Sequence, residues 1–125
     1  MELVQAKKQI LILDKDNRIL SVVDDIMHLG EFDIHITFDP NAVFDKAKSM
    51  QPDLVILDYL LLNDECAEIC NDFKKDAELR SVPLIVVSAY KSKKIRQEEY
   101  NCDALFVKPL DVSLFASKID YLTAS

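Results

Sequence analysis

A single glycine, Gly30, occurs in the 125 residues. A loop that wraps a nucleotide phosphate needs several glycines so that the backbone can approach closely, and a glycine-rich dinucleotide site is therefore excluded. Cysteine is also sparse. Cys66, Cys70 and Cys102 make an odd count of three with no export signal ahead of them, which argues against a disulfide framework and for a reducing, cytoplasmic setting. Long apolar runs are missing: the longest hold four or five residues, against the roughly 20 a membrane helix needs. Met1 to Lys8 has no apolar segment behind its charges, so neither a membrane span nor a signal peptide is expected. Positive charge is short as well, with 15 Lys and Arg against 22 Asp and Glu and a net charge of −7. Sequence-independent affinity for nucleic acid comes from clustered Lys and Arg, so this domain is not expected to bind it.

What is present reads as one folded unit. Half the residues are hydrophobic and 30% are charged, the balance of a soluble globule. A chain this long buries roughly two thirds of its unfolded surface around one core, expected as a single domain over 1–125 with its core at about 8–122. Gln9 to Leu13 is an apolar run that stops at Asp14, Lys15 and Asp16. From Ile19 to Leu29 the apolar residues recur at helical spacing, with Asp16 placed as N-cap and Gly30 as C-cap. Phe32 to Phe38 sets Ile34, Ile36 and Phe38 against His35 and Thr37, the alternation of a strand near a sheet edge. Asp39 and Pro40 open a second helix, striped by Ala42, Val43, Ala47 and Met50 and ended by Pro52. Leu54 to Leu57 then runs without alternation into Asp58, as a strand buried on both faces does. Cys66, Ile69, Cys70 and Phe73 stripe a third helix, and Leu84 to Val87 is another unalternating strand ending at Ser88. Lys91 to Tyr100 is a charged fourth helical segment, Ala104 to Val107 a last strand ending at Lys108, and Val112, Phe115, Ile119 and Leu122 stripe a final helix.

Five strands alternating with five helical segments predict an α/β fold, a parallel doubly wound sheet with helices on both faces and right-handed crossovers. Ligands and chemistry in such sheets collect beyond the carboxyl ends of the strands. The residues there are Asp14, Lys15 and Asp16, then Asp58, then Ser88, then Lys108. Taken singly, each reads as a residue of a wet loop or a helix cap. Taken together in this chain order, they resemble the receiver domain of bacterial two-component response regulators, over roughly Lys8 to Leu122.

The resemblance implies a flavodoxin-like sheet of strand order 2-1-3-4-5. It also implies that Asp58 accepts a phosphoryl group from a sensor histidine kinase or phosphotransfer protein, that the Ser88 hydroxyl binds a phosphoryl oxygen, and that the Lys108 ammonium pairs with the acceptor. Asp14, Asp58 and the backbone carbonyl of Leu60 would ligate Mg²⁺. Such a domain is a signalling switch that at most assists its own phosphorylation and dephosphorylation. It would meet a downstream protein partner through the fourth helical segment, last strand and last helix, a face that includes Tyr90, Leu105 and Phe106.

Five positions depart from the family pattern. Lys15 stands where a second acid is usual, and an ammonium cannot bind a cation; Asp16 reads either as a substitute ligand or as a helix cap. Leu62 and Cys66 replace the usual Pro and Gly after Asp58, leaving Asn63 to supply a left-handed turn. Leu105 takes the place of the switch aromatic, with Phe106 one residue later. Tyr90 stands two residues after Ser88, where a small or acidic residue is common.

Two other readings follow from the same residues. A pseudo-receiver would keep the fold as a phosphorylation-independent protein-binding module, with a Lys15 to Asp58 ion pair fixing one charge state. The opening Asp14-Lys15-Asp16 also resembles haloacid-dehalogenase-like phosphatases, with Asp14 as nucleophile and Asp16 as general acid, although Asn17-Arg18 follows where Gly-Thr is usual. Cys66 and Cys70 share a helical face and read as core rather than metal ligands. His28 and His35 read as surface, and the basic run Lys91, Lys93, Lys94 and Arg96 as a solvated helix face or a contact for an acidic patch.

Overall fold

The structure, a computed structural model, describes residues 7–15, 32–89, 100–108 and 110–124. Among them are five strands and three helices: β1 (Lys8–Asp14), β2 (Phe32–Thr37), α1 (Val43–Met50), β3 (Leu54–Tyr59), α2 (Asp64–Lys75), β4 (Leu84–Ser88), β5 (Ala104–Val107) and α3 (Val112–Thr123). Every pairing is parallel, as the alternation of strands and helices predicts, and the order is β2-β1-β3-β4-β5, as the resemblance implies. The helix expected over Ile19 to Leu29 lies outside the described residues, as do the fourth segment up to Tyr100, Asp16 and Tyr90.

Strand alternation sorts the core into two layers. Leu11, Leu13, Val55, Leu57, Leu84 and Val86 face α1 and α2, where Val43, Ala47, Ile69, Cys70 and Phe73 meet them. Ile10, Ile12, Leu54, Ile56, Ile85 and Val87 face the other way, against Phe115 and Ile119 of α3. β3 and β4 are buried at every position. Each such large apolar side chain contributes roughly 1.5–3 kcal/mol when removed from water, so the two central strands anchor the site at their ends. β2 alternates half-buried with exposed residues, as an edge strand should. Phe38 departs from expectation: the strand stops at Thr37, and Phe38 is 51% exposed beyond it. No helix among the described residues is long and apolar enough to cross a membrane.

The helix ends show how the chain manages with little glycine. Asp39 acts one turn ahead of α1, accepting from the Asn41 N–H at 2.9 Å, while Ala42 takes the N-cap position without a side-chain bond. Gln51 closes α1 in the left-handed region (φ 50°), its N–H donating to the Ala47 carbonyl at 2.8 Å. Asn63 is extended (φ −150°) rather than left-handed, and its Oδ1 accepts from the Cys66 N–H at 3.0 Å. It is the N-cap of α2, a role that satisfies a helix donor water would otherwise have to reach.

At the amino ends of the strands one device appears twice. Asp53, just before β3, donates its N–H to the Gln9 carbonyl at 2.8 Å and accepts the Gln9 N–H on its carboxylate at 2.7 Å. Asp103, just before β5, does the same with Leu84, at 2.8 and 2.7 Å. Each carboxylate thereby satisfies a neighbouring strand's N–H at the point where the ladder begins.

Candidate functional site

At the carboxyl ends the ladder continues past the strands. The Lys15 N–H donates to the Asp58 carbonyl at 3.1 Å, the Ala89 N–H to the carbonyls of Tyr59 and Leu60 at 3.0 and 3.2 Å, and the Lys108 N–H to the Ser88 carbonyl at 2.8 Å. These bonds fix the four strand ends against one another before any side chain is considered. Asp14 and Asp58 are register partners across β1 and β3, so the topology brings together two acids 44 residues apart in the chain. Both are buried, at 1% and 3% exposure, and Ser88 is fully buried one rung beyond Asp58, opposite Tyr59.

Lys108 reaches this site from the end of β5. Its Nζ lies 3.0 Å from Asp58 Oδ1 and 3.1 Å from Oδ2, straddling the carboxylate as a charge-assisted donor. The ion pair expected between Lys15 and Asp58 under the pseudo-receiver reading is not formed among the described residues. Lys15 binds Asp58 through the main chain instead, because its N–H continues the ladder from β1 onto β3.

Leu105 and Phe106 fall on opposite faces of β5, as strand alternation requires. Leu105 packs against the α1 and α2 layer, whereas Phe106 packs against the α3 layer, its ring edge-on to Phe115 with centroids 5.2 Å apart. Phe106 therefore does not take up the position of Leu105. Tyr59 was not singled out by sequence. Its ring is 1% exposed and its hydroxyl donates to Glu65 Oε1 at 2.8 Å. An aromatic directly after a buried acid, with a carboxylate six residues on, was the available signal. Cys66, Cys70 and Cys102 are free thiols, the first two buried in the core and Cys102 half-buried against it, where burial pushes its thiol up to about 12.

Among the described residues no three His, Cys, Asp or Glu side chains gather in a metal-binding group. Mg²⁺ needs less than that: it takes one or two carboxylates and completes its shell with water and phosphate oxygens. Asp14 and Asp58, with the Leu60 carbonyl close to the same strand end, form a donor set that fits. That carbonyl accepts from Ala89.

The sequence profile of the response regulator receiver domain matches residues 10–120, and the chain belongs to that family. Members of it are signalling switches that bind Mg²⁺ at an acidic pocket and communicate with histidine kinases and downstream partners. The chain is 26% identical over 113 residues to the response regulator ArlR of Staphylococcus saprophyticus, covering 89% of this chain and 50% of that protein. It is also 26% identical over 114 residues to the polar-differentiation response regulator DivK of Brucella anthropi, covering 90% of this chain and 93% of that one. This chain thus spans half the length of the first relative and nearly all of the second. Among solved structures, the CheY-like receiver domain protein from Methanospirillum hungatei superposes with a TM-score of 0.74 at 23% identity, over 94% of each chain. No feature of the fold or of these likenesses favours the phosphatase reading.

Proposed function

We propose that the domain accepts a phosphoryl group on Asp58 and passes the change to a protein partner. The observation that carries this reading is the Lys108 ammonium astride both oxygens of a buried Asp58 carboxylate that sits in register with Asp14. A carboxylate oxygen of Asp58 attacks phosphorus as the bond from phosphorus to the donor's leaving atom breaks, in line with the attack. Positioning and charge neutralisation supply nearly all the catalysis such a transfer needs. Lys108 holds the acceptor before transfer and a phosphoryl oxygen after it, and the Ser88 hydroxyl donates to another. Asp14, Asp58 and the Leu60 carbonyl would hold Mg²⁺, which when bound neutralises charge on the phosphoryl oxygens; Asp16 is the additional candidate ligand.

A histidine kinase or phosphotransfer protein is the expected donor. The proposed output face includes β5 and α3, where Val107, Val112, Leu114 and Tyr121 are exposed at 38%, 45%, 63% and 76%. Phosphorylation adds charge and acceptor oxygens that draw Ser88 inward and bias that face through Leu105. The test is intact-mass spectrometry after incubation with acetyl phosphate and Mg²⁺. One phosphoryl group is expected, absent in Asp58→Asn and strongly reduced in Lys108→Ala. No uptake by the parent chain or by Lys15→Asp would instead assign it as a phosphorylation-independent binding module.

A further inference from the structure

The connection from β3 to α2, Leu60 to Asn63, contains neither glycine nor proline, so its backbone is not shaped by residues of restricted or unusual freedom. Hydrogen bonds hold it instead. The buried Tyr59 is bonded in two directions: its carbonyl accepts from the Ala89 N–H at 3.0 Å, beyond the end of β4, and its hydroxyl donates to Glu65 in the first turn of α2 at 2.8 Å. Asn63 caps that same turn through the Cys66 N–H at 3.0 Å, and the Tyr100 hydroxyl donates to the Asn63 carbonyl at 3.4 Å. Leu60 lies inside the loop so closed, and its carbonyl shares the Ala89 N–H at 3.2 Å.

We infer that Tyr59 and Glu65 are positioning residues for the acceptor site, their side-chain bond closing the loop after Asp58 onto α2 and holding the Leu60 carbonyl in place beside the two acids. The inference rests on the reading of Asp58 as phosphoacceptor for its function, and on the hydrogen-bond geometry alone for its structural part.

The test uses the whole chain, with Tyr59→Phe and Glu65→Gln as variants, and begins with amide hydrogen exchange followed by NMR in the absence of phosphodonor and Mg²⁺. The Ala89 and Cys66 amides are expected to exchange about tenfold faster in Tyr59→Phe, the size of one lost hydrogen bond, while those of Leu57 and Val86 keep the parent rate. Glu65→Gln retains an acceptor and is expected to keep all four amides near the parent rate. In the phosphorylation assay, Tyr59→Phe should raise the Mg²⁺ concentration for half-maximal rate several-fold with little change in the saturated rate. Parent-like exchange at Ala89 and Cys66 in Tyr59→Phe would overturn the proposal. So would faster exchange spread equally to Leu57 and Val86, the mark of a general stability role. If the parent chain takes up no phosphoryl group, the reading of Asp58 fails, and the exchange data still decide whether this bond positions the loop.

Discussion

Lys48 meets Asp76 at 3.0 Å with side chains 34% and 17% exposed, and Lys108 meets Asp58 at the same distance with side chains 15% and 3% exposed. The first pair lies toward the amino ends of the strands, where α1 and α2 finish, and the second at the carboxyl ends. Equal distances conceal different physics. The outer pair is hydrated and screened and contributes little. The inner pair has been taken out of water at a cost that its attraction offsets only in part, and Asp14 adds a second buried carboxylate in the next strand. The amino end gains its stability elsewhere, from Asp53 and Asp103 satisfying the first strand N–H groups. One end of the sheet is therefore built to hold the fold, and the other carries charge the fold does not need.

That contrast can be attacked at two strengths. The largest effect on stability is expected from Asp103→Ala, which strips the Leu84 N–H of its acceptor and Lys74 of its 2.9 Å partner. Leaving a largely buried donor unsatisfied costs about 1–3 kcal/mol, measurable by urea unfolding. A variant as stable as the parent would break the assignment of stability to the amino end. The smallest effect belongs to Lys48→Met. The bond from Lys48 holds the Asp76 carboxyl below the usual range, and the bond from Asp76 raises Lys48. A depressed carboxylate contributes stability above its unfolded pKa and loses it as pH falls through the folded one. A raised lysine contributes below its unfolded pKa and loses it as pH rises through the folded one. Lys48→Met should thus lower Tm slightly at neutral pH, match the parent in acid, and approach it again in high salt. A Tm gap that persisted in acid would show that Lys48 acts through packing.

The parts of this molecule legible from sequence are those set by short-range pattern. β3 and β4 were readable because Leu54 to Leu57 and Leu84 to Val87 are unbroken apolar runs, and β4 and β5 appear with the expected bounds. Asp14, Asp58, Ser88 and Lys108 were identifiable as candidates because each ends a strand, and the structure brings them to one end of the sheet. Features that depend on where an element starts or turns were not readable. Asn63 reads as a turn residue until the first residue of α2 is known, and Phe38 could belong to β2 until the strand was seen to stop at Thr37. The partner of Lys15 was likewise set by a main-chain bond that side-chain chemistry does not announce, and the Tyr59–Glu65 bond depends on the path of a loop that has no turn signal.

The most direct test of the account is the unfolding free energy of Asp58→Asn measured beside its phosphoryl uptake. The substitution keeps an amide oxygen to accept from Lys108 while one of two buried carboxylates is removed and like-charge repulsion is relieved, so Asp58→Asn should lose uptake altogether while gaining about 0.5–2 kcal/mol of stability, the pattern of a site kept for function at the expense of the fold. A variant destabilised by more than about 1 kcal/mol, the scale of an ordinary structural hydrogen bond, would contradict it and place Asp58 among the residues that hold the domain together.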